Sequence, residues 1–169
     1  MEVNSVAVLE VGGTHATSCW VDTASWAVRP GVIGRARLRG DAGADELLDT
    51  LAGCVARLGS LGNAPLAVAI PGPFDYDAGI GLFRDVGKFD ALAGVDVRYG
   101  LLRRLADPSA RIAFVNDAAA FGLGEWLVGA ARGCSRAVAL TLGSGVGSAF
   151  VAEGAIVAGG PEVPPEGYV

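Results

Sequence analysis

A carboxylate and two adjacent glycines lie near the start of the chain, as Glu10, Gly12, Gly13 and then Thr14. Glycine has no Cβ, so a turn built from it can point backbone N–H groups at an anion without obstruction. Thr14 would add a hydroxyl donor, and Glu10 could hold Mg²⁺ directly or through water. The alternative interpretation of Glu10 is an ordinary surface charge at a strand end. The cluster suggests a phosphate-binding turn with a metal ligand beside it.

A second glycine turn occurs late in the chain, at Gly143, Ser144, Gly145 and Gly147. Its G-x-G-x-G spacing differs from the G-x-G-x-x-G of dinucleotide-binding proteins, and the residues after it are strand-like. The Gly-Lys-Ser/Thr of a Walker loop occurs nowhere in the sequence. Each glycine turn taken alone is more typical of an ordinary hairpin. The two together, in similar sequence contexts, favour a pair of turns that grip the phosphate chain of ATP.

Asn116 and Asp117 stand where a buried strand is predicted to end and a helix to begin. An aspartate in this position is often only a helix N-cap. The functional alternative is that Asp117 accepts the proton of an attacking hydroxyl group. Phosphoryl transfer needs an oriented nucleophile, a base, and charge neutralisation by metal ions and backbone dipoles. Local sequence leaves both interpretations of Asp117 open.

The elements that must position these residues follow from hydrophobic periodicity. Short apolar runs predict strands, and leucines that recur at helical spacing predict an amphipathic helix. Residues 74–94 form a long loop rich in Gly, Asp and Phe, and loops of this length are usually functional. The predicted strands are 5–11, 15–22, one within 26–39, 65–70, 111–115, 136–142, 148–152 and 155–158, and the predicted helices are 44–58, 98–106 and 117–130.

The end of the chain is similar to its beginning. Residues 6–22 and 137–154 both follow the pattern of strand, glycine turn and strand, which indicates an internal duplication. The second copy lacks a helix after it. We therefore predict an α/β fold in two parts, with residues 1–133 as one lobe and 134–169 as the first strands of a second lobe.

Composition argues against several classes of function. The 169 residues carry a formal net charge of −5 without a basic face, which argues against nucleic-acid binding. No apolar run reaches the roughly 18 residues of a membrane span, and the N-terminus lacks a basic secretory region. Cys19, Cys54 and Cys134 match neither a disulfide framework nor a zinc site. We expect buried thiols in a reducing compartment, and therefore a cytoplasmic protein.

Four motifs, in this order, resemble the ROK family of bacterial sugar kinases and their relatives, within the actin/hexokinase/Hsp70 ATPase superfamily. The first phosphate motif of the family is similar to residues 10–14, Glu-Val-Gly-Gly-Thr, and its sugar loop to residues 71–73, Pro-Gly-Pro. Its catalytic segment is similar to residues 116–125, Asn-Asp-Ala-Ala-Ala-Phe-Gly-Leu-Gly-Glu. Its second phosphate motif is similar to residues 141–147, Thr-Leu-Gly-Ser-Gly-Val-Gly. The resemblance covers nearly the whole chain.

The resemblance implies a ribonuclease-H-like (actin-like ATPase) lobe with a mixed five-stranded sheet. It also implies a glucokinase-like reaction, in which a hexose hydroxyl is phosphorylated by ATP with Mg²⁺. Asp117 would be the general base, Asn116 would hydrogen-bond a neighbouring hydroxyl, and Pro71 and Gly72 would contact the sugar. The phosphates and Mg²⁺ would be held by Glu10, Gly12, Gly13, Thr14, Gly143, Ser144, Gly145 and Gly147. A homodimer is among the assemblies that the resemblance leaves open.

The chain departs from the family pattern in places. His15 follows Gly-Gly-Thr where members often have lysine, and residues 85–89, Asp-Val-Gly-Lys-Phe, lack the family's asparagine, so the sugar stays open. A full member is about twice as long, so we expect a fragment, or a second lobe supplied from elsewhere, and little activity from this chain alone. The alternative function is a non-catalytic, sugar-sensing member. That alternative is disfavoured because family repressors carry an N-terminal helix-turn-helix, whereas here the first strand is predicted close to Met1.

Overall fold

The computed structural model describes residues 4–107, 109–143, 145–161 and 163. The chain divides into two compact units, Met1–Val115 and Asn116–Val169. The predicted division into lobes 1–133 and 134–169 stays a prediction. The strands are β1 Ser5–Val11, β2 His15–Asp22, β3 Gly34–Arg37, β4 Leu66–Ile70, β5 Phe74–Asp75, β6 Ile80–Gly81, β7 Ile112–Asn116, β8 Arg136–Leu142, β9 Val146–Ala152 and β10 Ala155–Ile156, and the helices are α1 Ala44–Ala56, α2 Val97–Arg104 and α3 Asp117–Leu127.

A five-stranded sheet in the order β3-β2-β1-β4-β7 forms the centre of the first unit. β2 runs antiparallel to both β1 and β3, and the connection between β1 and β2 is a short turn, residues 12–14. β4 runs parallel to β1, and the long connection between them contains α1. The predicted α/β fold with a mixed five-stranded sheet is confirmed.

The core of the first unit lies between this sheet and α1. Leu47, Leu51 and Val55 recur on one face of α1 and are buried, as the amphipathic pattern predicts. β1 contributes Leu9 and Val11 at alternate positions along the strand. Removing these apolar side chains from water is the main force that holds the helix on the sheet. The sheet edge where β1 and β4 end is thereby fixed in place.

The third strand lies within the predicted range 26–39, and a close contact with α1 accounts for where it starts. Ser18 Oγ donates a hydrogen bond of 2.7 Å to the carbonyl of Cys54. A Cβ on Gly34 would lie 2.2 Å from Ser18 Oγ and 2.5 Å from the Cys54 carbonyl oxygen. Only glycine fits at this point.

Aromatic packing orders the long loop between β4 and α2. The predicted loop 74–94 contains the two-residue hairpin β5–β6 and a 3₁₀ turn, Asp90–Leu92. Phe83 lies 6.3 Å from Phe74 and 5.6 Å from Phe89 between ring centroids, and all three side chains are buried. Rings at these separations attract one another in addition to the apolar area that they bury. A segment with little regular structure therefore has its own packed centre.

The second unit is a helix on a three-stranded sheet of order β10-β9-β8. Its β8–β9 hairpin agrees with the predicted strand, glycine turn and strand, although β9 begins earlier and β10 is shorter than expected. Gly122 lets α3 approach closely, because a Cβ there would lie 3.0 Å from Ala149 Cβ and 3.3 Å from Ala139 Cβ. Small residues on both sides therefore set how closely the helix lies to the hairpin.

Trp126 packs at the other end of α3. Its indole N–H donates to the Cys134 carbonyl over 2.8 Å, and a Cβ on Gly154 would lie 2.8 Å from the ring. Cys134 itself is exposed and Cys19 is half-buried, so the prediction of a buried thiol is correct for Cys54 alone.

The helices are short, with 13, 8 and 11 residues in α1, α2 and α3. Within the described ranges, no helix combines the length and the apolar character that crossing a bilayer requires.

Candidate active site

The turn after β1 closes with a single backbone hydrogen bond. The N–H of Gly12 donates to the carbonyl of His15 over 2.8 Å, and Thr14 Oγ1 lies 3.0 Å from His15 Nδ1. Among the backbone hydrogen bonds of the described residues, none uses the N–H of Gly13 or Thr14 as donor. Two successive amides at a glycine turn are thus available to an anion.

The carboxylate of Glu10 folds over the glycine turn. A Cβ on Gly12 would lie 3.2 Å from Glu10 Oε1 and 3.1 Å from the His15 carbonyl oxygen. The absence of a side chain at residue 12 therefore leaves space for the carboxylate. The described residues include no group of three or more His, Cys, Asp or Glu side chains that could hold a metal ion. Mg²⁺ is commonly bound through one or two carboxylates plus phosphate oxygens and water, so a single glutamate suits that ion.

The Pro-Gly-Pro segment leaves the sheet at the same edge as this turn. β4 is parallel to β1, with Glu10 paired to Ala69, so Pro71 and Gly72 follow β4 where Gly12 follows β1. The Gly72–Pro73 peptide bond is cis. In open α/β sheets, ligands bind outside the carboxyl ends of the strands. The first unit thus brings the first glycine turn and the Pro-Gly-Pro segment to one edge.

Asp75, which follows this segment, has a local role. Its Oδ1 accepts a hydrogen bond of 2.8 Å from the N–H of Ala78, and its carbonyl accepts one of 2.7 Å from Gly79. These bonds close the tight turn between β5 and β6.

Asn116, and not Asp117, is the N-cap of α3. Asn116 has extended backbone angles, φ −62° and ψ 139°, and its side-chain oxygen accepts from the N–H of Ala119 over 3.0 Å. Asp117 is the first helical residue, is half-buried, and accepts from the N–H of Ala118 through Oδ1 over 2.9 Å. The capping explanation of Asp117, left open by the sequence, therefore applies to its neighbour.

The second glycine turn lies beside the start of the same helix. Gly143 donates to the carbonyl of Gly145 over 2.9 Å, and among the described residues no atom beyond the chain neighbours lies within 4 Å of a Cβ on either glycine. A Cβ on Gly147 would lie 2.5 Å from Thr141 Oγ1 and 3.1 Å from Ala118 Cβ. The hairpin therefore packs against the first turn of α3, next to Asp117. Ser144, also a predicted phosphate ligand, lies outside the described residues.

Each unit thus assembles part of the predicted set of residues. The first unit has Glu10, Gly12, Gly13, Thr14, Pro71 and Gly72 at one sheet edge, and the second has Asn116, Asp117, Gly143, Gly145 and Gly147 at one end of α3. Backbone N–H groups at turns and at a helix N-terminus attract anions, and a carboxylate is a type of group that can bind a metal ion or accept a proton.

Gly40 is a neighbour of the first turn that sequence reasoning missed. A Cβ on Gly40 would lie 4.0 Å from the Gly13 carbonyl oxygen and 3.0 Å from Lys88 Cβ. Gly40 belongs to no motif. Its closeness to the turn follows from the pairing of β2 with β3, because the N–H of Leu38, two residues before Gly40, donates to the carbonyl of Thr14.

Comparison with known proteins gives consistent results. A family model described as "ROK family" matches residues 6–166. A glucokinase from Thermotoga maritima is 31% identical over 118 residues, which make up 69% of this chain and 36% of that protein.

Two solved structures show the same fold. One is a ROK family glucokinase from Streptomyces griseus in complex with glucose and AMPPNP, with a TM-score of 0.72 and 20% identity over 96% of this chain and 49% of that one. The other is a ROK family transcriptional regulator, a homologue of the E. coli MLC protein, with a TM-score of 0.67 and 16% identity over 92% of this chain and 38% of that one. The chain spans about half or less of each of these relatives. The expected actin-like ATPase fold of ROK sugar kinases is confirmed.

Proposed function

The chain belongs to the ROK family, and we propose on this premise that it carries part of the site with which an ATP-dependent sugar kinase phosphorylates a hexose hydroxyl. One observation carries the proposal. Asn116 caps α3, so Asp117 is not needed as the cap and lies beside the second glycine hairpin. A carboxylate next to an anion-binding turn is what a general base for phosphoryl transfer requires.

The residues then have distinct roles. Asp117 accepts the proton of the attacking hydroxyl, and Asn116 orients a neighbouring hydroxyl of the sugar. The amides around Gly13 and those of the Gly143–Gly147 hairpin bind phosphate oxygens. Glu10 would hold Mg²⁺, directly or through water, and the ion would supply charge neutralisation on the phosphates. Pro71 and Gly72 shape the sugar loop.

The glucokinase relative supports a hexose as the substrate, and the AMPPNP in the Streptomyces griseus structure supports ATP as the phosphate donor. The regulator of the same fold supports a second candidate, a sugar-binding protein without catalysis. The two candidates differ in one measurable respect, because only the kinase forms ADP when sugar is added.

The test is an ADP-release assay on a longer protein that contains this sequence, against a panel of hexoses and amino sugars. We expect sugar-dependent ADP formation that Asp117→Asn lowers by about 10²- to 10⁴-fold, the usual contribution of general acid–base catalysis, with sugar affinity little changed. Asp49→Asn is the matched control, since Asp49 is exposed on α1 and pairs with Arg104. We expect the 169-residue chain alone to form no ADP.

Two results would contradict the proposal. Turnover of Asp117→Asn close to that of the unmodified protein would remove Asp117 as the base. If the longer protein binds a sugar but forms ADP with none of the sugars in the panel, the non-catalytic candidate is favoured.

A further inference from the structure

Lys88 is the single lysine of the chain and lies in an unusual backbone segment. Asp85, Gly87 and Phe89 have left-handed φ angles of 57°, 77° and 61°. Such angles are uncommon for residues other than glycine and persist only where the surroundings impose them. The backbone therefore turns sharply on both sides of Lys88, at Gly87 and at Phe89.

Three contacts maintain this conformation. Phe89 is 1% exposed and packs against Phe83, with ring centroids 5.6 Å apart. Its N–H donates to the carbonyl of Gly40 over 2.7 Å. The N–H of Val86 donates to Asp90 Oδ1 over 3.2 Å. Lys88 is thus held by a buried neighbour and by backbone contact with the segment that follows β3.

This contact brings Lys88 to the first glycine turn. The position that a Cβ on Gly40 would take is 3.0 Å from Lys88 Cβ, 3.6 Å from Lys88 Cα and 4.0 Å from the Gly13 carbonyl oxygen. Lys88 and the carbonyl of Gly13 are therefore both neighbours of Gly40, and the absence of a side chain at residue 40 leaves room for Lys88 to approach. The four-carbon stem of a lysine can carry its ammonium group past so small a neighbour.

The charge of Lys88 has no partner in the described part of the chain. Lys88 takes part in none of the ion pairs there, and its side chain is half-buried. Arg39, one residue before Gly40, is paired with Asp41 and Glu46 at 3.6 and 3.5 Å. A lysine with a flexible stem and no internal carboxylate partner is suited to bind a phosphate as a point charge.

We propose that Lys88 binds the phosphate chain of a nucleoside triphosphate or an inorganic polyphosphate at the Gly12–Thr14 turn. This inference rests on the proposed function, because it assigns the turn to phosphate. Residues 10–14 supply N–H dipoles and the carboxylate of Glu10 but no cationic side chain, so a lysine beside them would add its positive charge to that of any bound Mg²⁺. Lys88 supplies that charge from a segment far away in sequence.

The single lysine permits a direct experiment on the 169-residue chain. Lys88 and the α-amine are the two amines of the chain that an acetylating reagent can modify, and mass spectrometry of the peptides that contain them gives both rates. We expect tripolyphosphate, and separately ATP with Mg²⁺, to slow acetylation of Lys88 while the α-amine reacts unchanged. Potassium chloride at equal ionic strength is the control for screening. Protection by ATP alone would identify the nucleotide as the ligand, and protection by both would identify the phosphate chain.

Binding of tripolyphosphate to variants provides the second measurement. Lys88→Met should weaken binding by about 10- to 100-fold, the usual effect of losing a hydrogen bond to a charged group. Lys88→Arg should retain most of the affinity. Arg103→Met, which removes an exposed cation of α2, should bind like the unmodified chain. Melting curves by circular dichroism establish that each variant is folded.

Several outcomes would overturn the inference: equal slowing of both amines, no slowing by either phosphate compound, protection by hexose alone, or unchanged binding by Lys88→Met. The result is separable from that of the kinase assay. Protection of Lys88 without ADP formation by the longer protein refutes the kinase and retains the phosphate site. ADP formation that Lys88→Met leaves unchanged supports the kinase and refutes the role of Lys88 in phosphate binding.

Discussion

At the scale of single residues, the junction between β7 and α3 places two polar side chains next to each other, and one of them caps the helix. Asn116 satisfies a free N–H of the first helical turn, and Asp117 points its carboxylate from the first helical position. An N-cap side chain must come from a residue with non-helical backbone angles. Because Asn116 is the extended residue, it takes the capping role.

A cap substitution tests the capping role of Asn116. Asn116→Ala should lower the free energy of unfolding by about 1 kcal/mol. Asn116→Ser should change it by only about a few tenths of a kcal/mol, because serine caps helices as well as asparagine does. Urea denaturation followed by circular dichroism measures both variants. An alanine variant as stable as the unmodified chain would show that the cap contributes nothing.

The sequence predicts the types of residue at this junction but not their roles. Asn and Asp are both good N-caps, so the choice between Asn116 and Asp117 depends on where the backbone turns from extended to helical. That point is set by the packing of α3 on the β8–β9 hairpin, which pairs residues distant in sequence. The same limit applies to Lys88, whose approach to Gly13 depends on Gly40 and on the burial of Phe89.

At the scale of elements, strands bounded by glycine were the most predictable. β1, β2 and β8 have the bounds that their apolar runs predict, since glycine turns end β1 and β8 sharply. The hairpin β5–β6 was not predicted, because two-residue strands have too few residues to show a period. Its geometry depends on tertiary contacts: a Cβ on Gly81 would lie 2.2 Å from the Leu92 carbonyl oxygen.

The packing of α3 on its hairpin gives a prediction with an internal control. Gly122 and Gly124 lie on the same helix, but a Cβ on Gly122 meets Ala149 and Ala139 within 3.3 Å whereas a Cβ on Gly124 meets nothing within 4 Å. Gly122→Val should lower the free energy of unfolding by about 1–3 kcal/mol through overpacking. Gly124→Val should be neutral or slightly stabilising, because valine favours a helix more than glycine does.

Thermal and urea denaturation of the two variants measure this difference. Equal stability of Gly122→Val and Gly124→Val would show that α3 does not lie on the hairpin as closely as described.

At the scale of the whole molecule, β8 has apolar side chains that the described part of the chain leaves exposed. β8 lies at the edge of the three-stranded sheet of the described residues. Its side chains Val138, Leu140 and Leu142 are 61%, 54% and 81% exposed. Exposed apolar edge strands promote association between chains. Concentrated solutions of the 169-residue chain should therefore scatter light through self-association.

A charge on this strand should reduce the scattering. Leu140→Lys places a lysine on the exposed face, a device by which natural edge strands resist pairing. Ser60→Lys, at an exposed position of the first unit, is the control for the change of net charge from −5. If both variants scatter as much as the unmodified chain, β8 is not the associating surface.

The contact of Trp126 with Cys134 and Gly154 has a spectroscopic consequence. The chain has three tryptophans, and Trp126 is the one in the second unit, whereas Trp20 and Trp26 belong to the first. Replacing Trp20 and Trp26 by phenylalanine leaves an indole emission that reports on the second unit, and replacing Trp126 leaves one that reports on the first. Each half of the molecule thus carries its own intrinsic fluorophore, and the loss of structure in each can be followed separately within one chain.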